Sequence, residues 1–219
     1  MVLSGFVLSV WGHVVLRVAP QHIVSVPKTW ARVCLFALRI FCGIKVTVEG
    51  KEHIPQTSAI IAAQHQSALD ILIWLAVLPN PALVFKQELD KIPLFGSLLR
   101  PSGMIAVDRD GAANALRKMI SDCRAALANG RQVLIFPEGT RVAHGLRVPL
   151  HTGIVAIAKG AAVPVIPAAT DSGRRWAPRA FSKTPGPVAV KIYPPLAPGL
   201  RRDDVIAEIT SIFYEKGVK

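Results

Sequence analysis

Residues 59–78 have the sequence AIIAAQHQSALDILIWLAVL. In this stretch an apolar run of strand length, 59–63, is followed by polar residues and then by an apolar helical run at 71–78. The order predicts a buried strand, a short loop and a helix. A chain built from such units is expected to fold as α/β, with helices packed on a central sheet.

The same alternation continues on both sides of this stretch, from residue 45 onward. Short β-prone runs predict strands at 45–49, 59–63, 82–85, 104–107, 132–136, 163–168 and 188–192. Apolar residues at helical spacing predict a helix at 111–128, stopped by Asn129 and Gly130, and a docking helix at 203–216. The chain has 219 residues, which is enough for one sizeable domain.

Composition limits the class of partner. Hydrophobic residues make up 51% of the chain, and the formal net charge is +12. The charge indicates a nucleic acid or an acidic membrane surface, and the high hydrophobic content favours the membrane. Nucleic acid is the least expected partner, because no aromatic stacking surface or helix-turn-helix signature is present. Cys34, Cys42 and Cys123 have neither disulfide nor metal spacing and are expected to be buried reduced thiols.

The first 44 residues are expected to attach the chain to a membrane. A helix over 2–19 would be roughly 27 Å long, which is marginal against a hydrocarbon core of about 30 Å. Over 27–44, three basic residues share a narrow sector of the helical wheel: Lys28, Arg32 and Arg39. This stripe could face lipid phosphates while the apolar side enters the acyl layer; the alternative is a core helix with a solvated stripe. The chain therefore divides into anchoring helices at 1–44 and a domain at 45–219.

The sequence HQSALD, residues 65–70, is the first candidate site. His65 and Asp70 would lie about 140° apart on one helix, so His65 must precede the helix, with Ser67 as its N-cap. From the loop, His65 could then meet Asp70 in the first helical turn. A histidine oriented by a carboxylate is suited to act as a general base. The alternative is a Ser-x-x-Asp capping box next to an ordinary loop histidine.

Two further charged groups follow predicted strands. FPEGTR, residues 136–141, forms a tight turn from which Arg141 and the backbone N–H groups near Gly139 could bind a phosphate. Arg109 ends the stretch GMIAVDR, 103–109, and could contact a phosphate through two N–H groups. An ordinary turn and a solvent-facing Asp-Arg pair are the alternatives. Because strand carboxyl ends in an α/β sheet border one crevice, we expect these groups to meet the first motif there.

Together these motifs resemble those of the glycerophospholipid acyltransferases, in particular the bacterial 1-acylglycerol-3-phosphate acyltransferases. HQSALD matches the HxxxxD motif of the family, GMIAVDR the second motif and FPEGTR the third. VPVIPA at 163–168 matches the fourth, and KQELDKIPLFG at 86–96 is similar to the stretch before the second. The resemblance implies a glycerol-3-phosphate acyltransferase-like α/β fold: a mixed central sheet of about seven strands flanked by helices, with an N-terminal hydrophobic helical membrane anchor.

The resemblance also implies roles for individual residues. His65 and Asp70 would form the catalytic pair. The residues expected to bind the acceptor substrate are Arg109, Glu138, Gly139, Thr140 and Arg141. The chain departs from the family at His151, where many members have a lysine shortly before the glycine that follows the third motif. This departure leaves the headgroup of the acceptor open.

The implied reaction moves an acyl chain from an acyl thioester to the free sn-2 hydroxyl of 1-acylglycerol 3-phosphate, forming phosphatidic acid in phospholipid synthesis. His65 would deprotonate the hydroxyl, which attacks the thioester of acyl carrier protein or coenzyme A. No covalent enzyme intermediate, cofactor or metal is expected. The implied partners are the lysophospholipid, the acyl donor and an anionic membrane, at the cytoplasmic face of a bacterial inner membrane, where acyl donors are found.

Two other functions are compatible with the residues. Another lysolipid, such as lyso-ornithine lipid, could be the acceptor for the same chemistry. A non-catalytic, basic membrane-binding protein could also use this fold, and it would tolerate the loss of His65. A second basic cluster surrounds Trp176 and Phe181 and is typical of a membrane-facing loop, although a flexible solvated loop is the alternative. Its members are Arg174, Arg175, Arg179 and Lys183.

Overall fold

The computed structural model describes residues 2–108, 112–159 and 161–218. These residues form a sheet of seven strands in the order β1-β7-β6-β2-β5-β3-β4. The strands are β1 (Ile44–Glu49), β2 (Ala59–Ala63), β3 (Pro81–Lys86), β4 (Ile105–Val107), β5 (Gln132–Ile135), β6 (Val165–Thr170) and β7 (Gly186–Ile192). Neighbouring strands run parallel, except that β6 and β7 pair antiparallel. The expected α/β fold with a mixed seven-stranded sheet is confirmed.

Helices cover both faces of this sheet. They are α1 (Val2–Val18), α2 (Ser25–Cys42), α3 (Leu69–Val77), α4 (Gly96–Leu99), α5 (Ala112–Ala128), α6 (Gly153–Ala158) and α7 (Arg202–Tyr214). The side chains of α2 and α3 belong to the hydrophobic core on one face, and those of α5, α6 and α7 to the core on the other. Strand β2 is buried on both sides, with Ile61 facing the first core and Ile60 and Ala62 facing the second.

The predicted elements are all present, with small shifts at their ends. The strand expected at 163–168 begins at Val165 and extends to Thr170, because Ala168 to Thr170 pair with β7. The helix expected at 111–128 begins at Ala112 within the described residues, and residue 111 lies outside them. The helix expected at 203–216 is α7, which ends at Tyr214.

The amino-terminal helices differ from their prediction in two ways. Helix α2 contributes Ala31, Cys34 and Leu38 to the main core, so it is part of the folded body. Lys28 does not point towards a headgroup layer, as the predicted basic stripe required. Its Nζ donates hydrogen bonds to the carbonyl oxygens of Leu78, at 2.9 Å, and of Pro79, at the carboxyl end of α3. Such carbonyls have no partner within a helix and attract a cation.

Membrane crossing is a separate question from packing. Within the described ranges, no helix has both the length and the apolar character needed to cross a membrane. Of the three cysteines, Cys34 and Cys123 are buried as expected, whereas Cys42 is only half-buried.

The connectivity of the sheet brings several loops to one edge. Strands β2, β5 and β6 run parallel, so the loops that follow them leave from the same edge, which we call the carboxyl edge. Strand β7 runs back from this edge, and β1 runs parallel to β7. The end of α2, which leads into β1, therefore also lies at the carboxyl edge.

At the opposite edge, Gln132 connects three neighbouring segments. Its side chain is completely buried at the start of β5. Its Oε1 accepts a hydrogen bond from the backbone N–H of Asn80, at 2.7 Å, and its Nε2 donates to the carbonyl oxygen of Thr57, at 2.6 Å. This one side chain thus fixes the entries to β2 and β3 beside β5.

We expect Gln132→Leu to lower the free energy of unfolding by roughly 2 kcal/mol, since it removes the hydrogen bonds of a buried side chain to Asn80 and Thr57 at nearly constant volume. Urea unfolding in nonionic detergent, followed by tryptophan fluorescence, measures the change. Gln87→Leu, at an exposed position, is the matched control and should stay close to wild type. Equal stability of the two variants would contradict this role of Gln132.

Candidate active site

His65 and Asp70 meet at the carboxyl edge as their spacing predicts. His65 lies in the loop after β2, and Asp70 lies in the first turn of α3. The His65 Nδ1 atom is 3.1 Å from Asp70 Oδ2. Asp70 is only 1% exposed, and the same oxygen accepts the backbone N–H groups of Gln66 and Ser67, each at 2.8 Å. Three donors converge on one carboxylate oxygen, so the carboxylate is fixed in front of the imidazole.

The capping interaction considered as an alternative is present as well. Ser67 Oγ accepts the N–H of Leu69, at 3.2 Å, while Asp70 accepts the N–H of Ser67. The predicted N-cap is wrong by one residue, because α3 begins at Leu69 and its N-cap is Ala68. The turn that caps the helix therefore also aims Asp70 at His65, and the two interpretations describe the same structure.

One face of the imidazole ring of His65 packs on the ring of Phe136. The two rings are stacked, with centroids 3.9 Å apart and an interplanar angle of 15°. The His65 side chain is 14% exposed. Among the described residues Nε2 has no hydrogen-bond partner, so this nitrogen can accept a proton from a group that enters from solvent.

Glu138 joins the FPEGTR turn to the histidine loop. Its side chain is 3% exposed, and Oε2 accepts the backbone N–H of His65 at 2.5 Å. The hydroxyl of Tyr214, at the end of α7, donates to Oε1 at 3.0 Å. Beyond the FPEGTR turn, the N–H of Val142 donates to the His65 carbonyl oxygen at 2.8 Å. The backbone of His65 is thus held on both sides by the segment that follows β5.

Burial dominates the electrostatics of this junction. It raises the pKa of Glu138 to about 7, although the hydrogen bonds from His65 and Tyr214 act in the opposite direction. Burial, followed by the nearby Glu138 charge, raises the pKa of Tyr214 to about 12. The tyrosine is therefore a neutral donor under physiological conditions, and Glu138 changes its charge close to neutral pH.

Gly139 and His151 explain the shape of the turn. Gly139 has a φ of +68°, and a Cβ at this position would lie 2.7 Å from Cδ2 and Nε2 of His151. The backbone conformation and the close imidazole both require glycine. His151, where the chain departs from the family, therefore packs directly on the third motif. Thr140 and Arg141 are exposed at the same turn.

The remaining predicted site residue, Arg109, lies outside the described residues. The strand before it, β4, is at the end of the sheet, and two strands, β3 and β5, separate it from β2. In the described ranges, no three His, Cys, Asp or Glu side chains are grouped so that they could hold a metal ion. The groups placed together are therefore an oriented imidazole, a buried carboxyl behind it and an arginine at the nearest turn.

Sequence reasoning missed Tyr214 and Gln66. Tyr214 is 76 residues from Glu138, and no local pattern indicates their contact. Gln66 is buried next to His65 in the chain, and its Oε1 accepts the N–H of Gly173 at 3.1 Å and lies 3.2 Å from His144 Nδ1. A glutamine inside an apolar strand-to-helix unit was the available signal, since a buried amide must find partners.

Glu138→Gln should flatten the dependence of stability on pH. The folded state holds this carboxyl's pKa at about 7, above the usual value of about 4.5, so it binds an extra proton between these values. The wild type should therefore lose up to roughly 3 kcal/mol of unfolding free energy as pH rises through this window, a loss absent in the variant. Chemical unfolding at several pH values measures both slopes.

The exposed Glu52 provides a matched control. Glu52→Gln should keep the wild-type slope. If Glu138→Gln shows the same slope as Glu52→Gln, the raised pKa of Glu138 is wrong.

Comparisons with known proteins identify the family of this chain. Residues 45–171 match the Acyltransferase family model. The 1-acyl-sn-glycerol-3-phosphate acyltransferase of Pseudomonas aeruginosa is 33% identical over 193 residues, which cover 84% of this chain and 74% of that protein. The human 1-acyl-sn-glycerol-3-phosphate acyltransferase alpha is 31% identical over 180 residues, and the match spans 64% of its length.

A solved structure shows the same fold. The crystal structure of a 1-acyl-sn-glycerophosphate acyltransferase from Thermotoga maritima superposes with a TM-score of 0.75 at 24% identity, covering 98% of this chain and 95% of that one. At this identity the likeness concerns the fold alone. The family model covers more than half of the chain and includes both site motifs, His65 to Asp70 and Phe136 to Arg141. The chain belongs to the acyltransferase family.

Proposed function

We propose that this enzyme transfers an acyl chain from an acyl thioester to the free sn-2 hydroxyl of 1-acylglycerol 3-phosphate and forms phosphatidic acid. The observation that carries the proposal is the imidazole of His65, which Asp70 holds through Nδ1 at 3.1 Å while Nε2 has no hydrogen-bond partner among the described residues. The names of the bacterial and mammalian relatives support the choice of acceptor.

The reaction needs one base and no covalent enzyme intermediate. His65 Nε2 takes the proton of the acceptor hydroxyl as its oxygen attacks the thioester carbonyl carbon. The tetrahedral intermediate collapses, the ester C–O bond remains, and the C–S bond breaks. The imidazolium then returns its proton to the thiolate of the leaving carrier. Asp70 stabilises the imidazolium and keeps Nε2 directed at the acceptor.

We assign different tasks to the residues of the third motif. Arg141 and Thr140, which are exposed at the turn, would contact the acceptor phosphate together with the backbone at Gly139. Glu138 would act indirectly, by positioning the backbone of His65, because both of its oxygens already accept hydrogen bonds. Arg109 is proposed as a second phosphate ligand on the basis of the second motif.

The donor is proposed to be acyl carrier protein or coenzyme A carrying the acyl group, with no further cofactor. Both donors and the acceptor are anionic, which suits a chain with a net charge of +12. The donors are cytoplasmic, so we place the enzyme at the cytoplasmic face of a bacterial inner membrane.

The first two long helices are proposed to attach the enzyme to that membrane. Their outer surface, which we call the hairpin face, consists of exposed apolar side chains. They are Val7, Val10, Trp11, Val14 and Val18 on α1 and Val33, Phe36, Ile40 and Phe41 on α2. Arg32 and Arg39 are exposed beside them. An apolar surface of this extent with basic residues at its margin is suited to the headgroup layer of one leaflet.

His65→Ala should reduce acyl transfer by at least about 10²-fold, the usual loss for a general base. The assay uses purified protein in detergent, a labelled acyl thioester and lysophosphatidate. His53→Ala, which changes a histidine beyond the end of β1 at the other edge of the sheet, should retain the wild-type rate.

The same assay separates the alternative functions. A wild-type enzyme that ignores lysophosphatidate but acylates lyso-ornithine lipid would keep the chemistry and replace the acceptor. A wild type inactive on every lysolipid, with vesicle binding unchanged in His65→Ala, would favour a non-catalytic membrane-binding protein.

Removing the two phenylalanines of the hairpin face should weaken membrane attachment. Phe36 is 67% exposed and Phe41 is 86% exposed, so Phe36→Ser/Phe41→Ser removes apolar surface without disturbing the core. We expect the partition coefficient onto lipid vesicles to fall at least about tenfold. Leu116→Ser, which changes an exposed apolar residue of α5 on the other face of the sheet, is the control. Equal binding of wild type and double variant would overturn the attachment by this face.

A further inference from the structure

The loop between β6 and β7 runs from the active site to the end of α2. At its beginning, the N–H of Gly173 donates to Gln66 Oε1, next to the catalytic histidine. At its end, Gly186 N–H donates to the carbonyl oxygen of Gly43 at 3.0 Å, where α2 passes into β1. Residues 174–183, which we call the cationic loop, therefore lie between the candidate site and the hairpin face.

The cationic loop has a defined internal structure. Trp176 packs against the main core, and its Nε1 donates to the carbonyl oxygen of Ala180 at 2.9 Å. Thr184 N–H donates to the Arg175 carbonyl oxygen at 2.8 Å, and Arg175 Nε donates to the Pro187 carbonyl oxygen at 3.0 Å. The alternative of a flexible, solvated loop does not fit these contacts. The fold holds the loop in a fixed orientation.

This orientation exposes one aromatic side chain among cations. Phe181 is 96% exposed, the highest value among the exposed large hydrophobic residues of the described chain. Lys183 Nζ lies 4.3 Å from the centre of the Trp176 ring and 5.3 Å from that of Phe181. Arg179 is exposed near by. Burying an aromatic ring is favourable, so full exposure indicates a partner into which Phe181 can insert.

The charge of the loop has one sign. The sequence from residue 172 to 185, SGRRWAPRAFSKTP, contains three arginines and one lysine and no acidic residue. The preceding acid, Asp171, is buried and accepts the N–H of Ala189 at 2.8 Å. Arg174 is exposed at the end nearest the site, where its charge adds to burial in lowering the pKa of His144. An anionic partner complements this surface.

We propose that the cationic loop is a second membrane-docking element, in which Phe181 enters the acyl layer while Arg174, Arg179 and Lys183 contact anionic lipid headgroups. The proposal rests on the proposed attachment through the hairpin face, with which the loop is continuous at Gly43. An acidic carrier protein would also complement the charge. Phe181 is almost fully exposed, and the segment that follows its loop bonds to Gly43, directly after the exposed Ile40 and Phe41 in the chain; these observations favour lipid instead.

Docking at both places would present the active site to the lipid surface. The hairpin face alone leaves the protein free to tilt about the axis of the two helices. A second contact at residues 174–183 removes this freedom, because it lies at the carboxyl edge beside Gln66. The acceptor could then reach His65 from the headgroup layer.

The test compares Phe181→Ser/Arg179→Gln with wild type and with Leu116→Ser/Arg117→Gln, a chemically matched pair on α5. Partition is measured on vesicles of phosphatidylcholine alone and with added phosphatidylglycerol. We expect the loop variant to bind the anionic vesicles roughly tenfold more weakly than wild type, and the α5 variant to bind unchanged. In nonionic detergent micelles the loop variant should acylate lysophosphatidate at the wild-type rate.

A fluorescence measurement at residue 181 keeps the test decisive even if the loop variant is partly unfolded. Phe181→Trp should shift its fluorescence emission to shorter wavelength when anionic vesicles are added, and Leu116→Trp should not. Unchanged partition of the loop variant together with no shift at residue 181 would overturn the proposal. So would normal vesicle binding combined with a raised KM for acyl carrier protein but not for acyl-coenzyme A, which would assign the loop to the carrier.

The outcomes also distinguish this inference from the proposed reaction. If no variant and no wild-type sample transfers an acyl group, yet the loop variant still partitions more weakly, the reaction is wrong and the docking surface stands. If transfer is normal but neither the partition of the loop variant nor the emission at residue 181 changes, the reaction stands and the docking surface is wrong.

Discussion

The buried carboxyl of Glu138 is the junction on which the geometry of the site depends. It accepts one hydrogen bond from the backbone of His65 and one from Tyr214, and so joins the loop after β2, the turn after β5 and the end of α7. The imidazole then needs only Phe136 and Asp70 to fix its plane. Burying a carboxyl at this position costs solvation free energy, which the raised pKa reflects. Without this support, Asp70 would orient a histidine whose backbone N–H had lost its partner, and Val142 would hold that backbone through the carbonyl oxygen.

Local sequence predicts those features that depend on neighbouring residues. The five-residue spacing of His65 and Asp70 excludes a shared helix and leaves the loop-to-helix arrangement that the structure contains. Features set by packing between distant segments could not be predicted. The position of Lys28 on the helical wheel does not indicate that α3 ends beside it. Nothing in the sequence pattern of α7 connects Tyr214 with the third motif. The substrate-binding roles of Arg109, Thr140 and Arg141 stay predictions.

A single reversal of strand direction organises the outer surface. Because β7 runs antiparallel to β6, the chain returns from the carboxyl edge, and β1, parallel to β7, starts there too. A further parallel strand in place of β7 would have placed the end of α2 at the opposite edge, away from His65. The mixed sheet therefore explains why the end of α2, the start of β7 and the pair His65 and Asp70 lie at the same edge of the sheet.

The contact between Tyr214 and Glu138 has a consequence for biosynthesis. His65 and Asp70 leave the ribosome early, but the helix that supports their geometry is translated long afterwards. A nascent chain could fold β2 and α3 and bring His65 close to Asp70 before α7 exists. In that state Glu138 would lack the tyrosine hydroxyl, and the second core would lack Ile209, Ile212 and Phe213. The order of synthesis thus delays a fully supported site until α7 has been translated and has packed against the sheet.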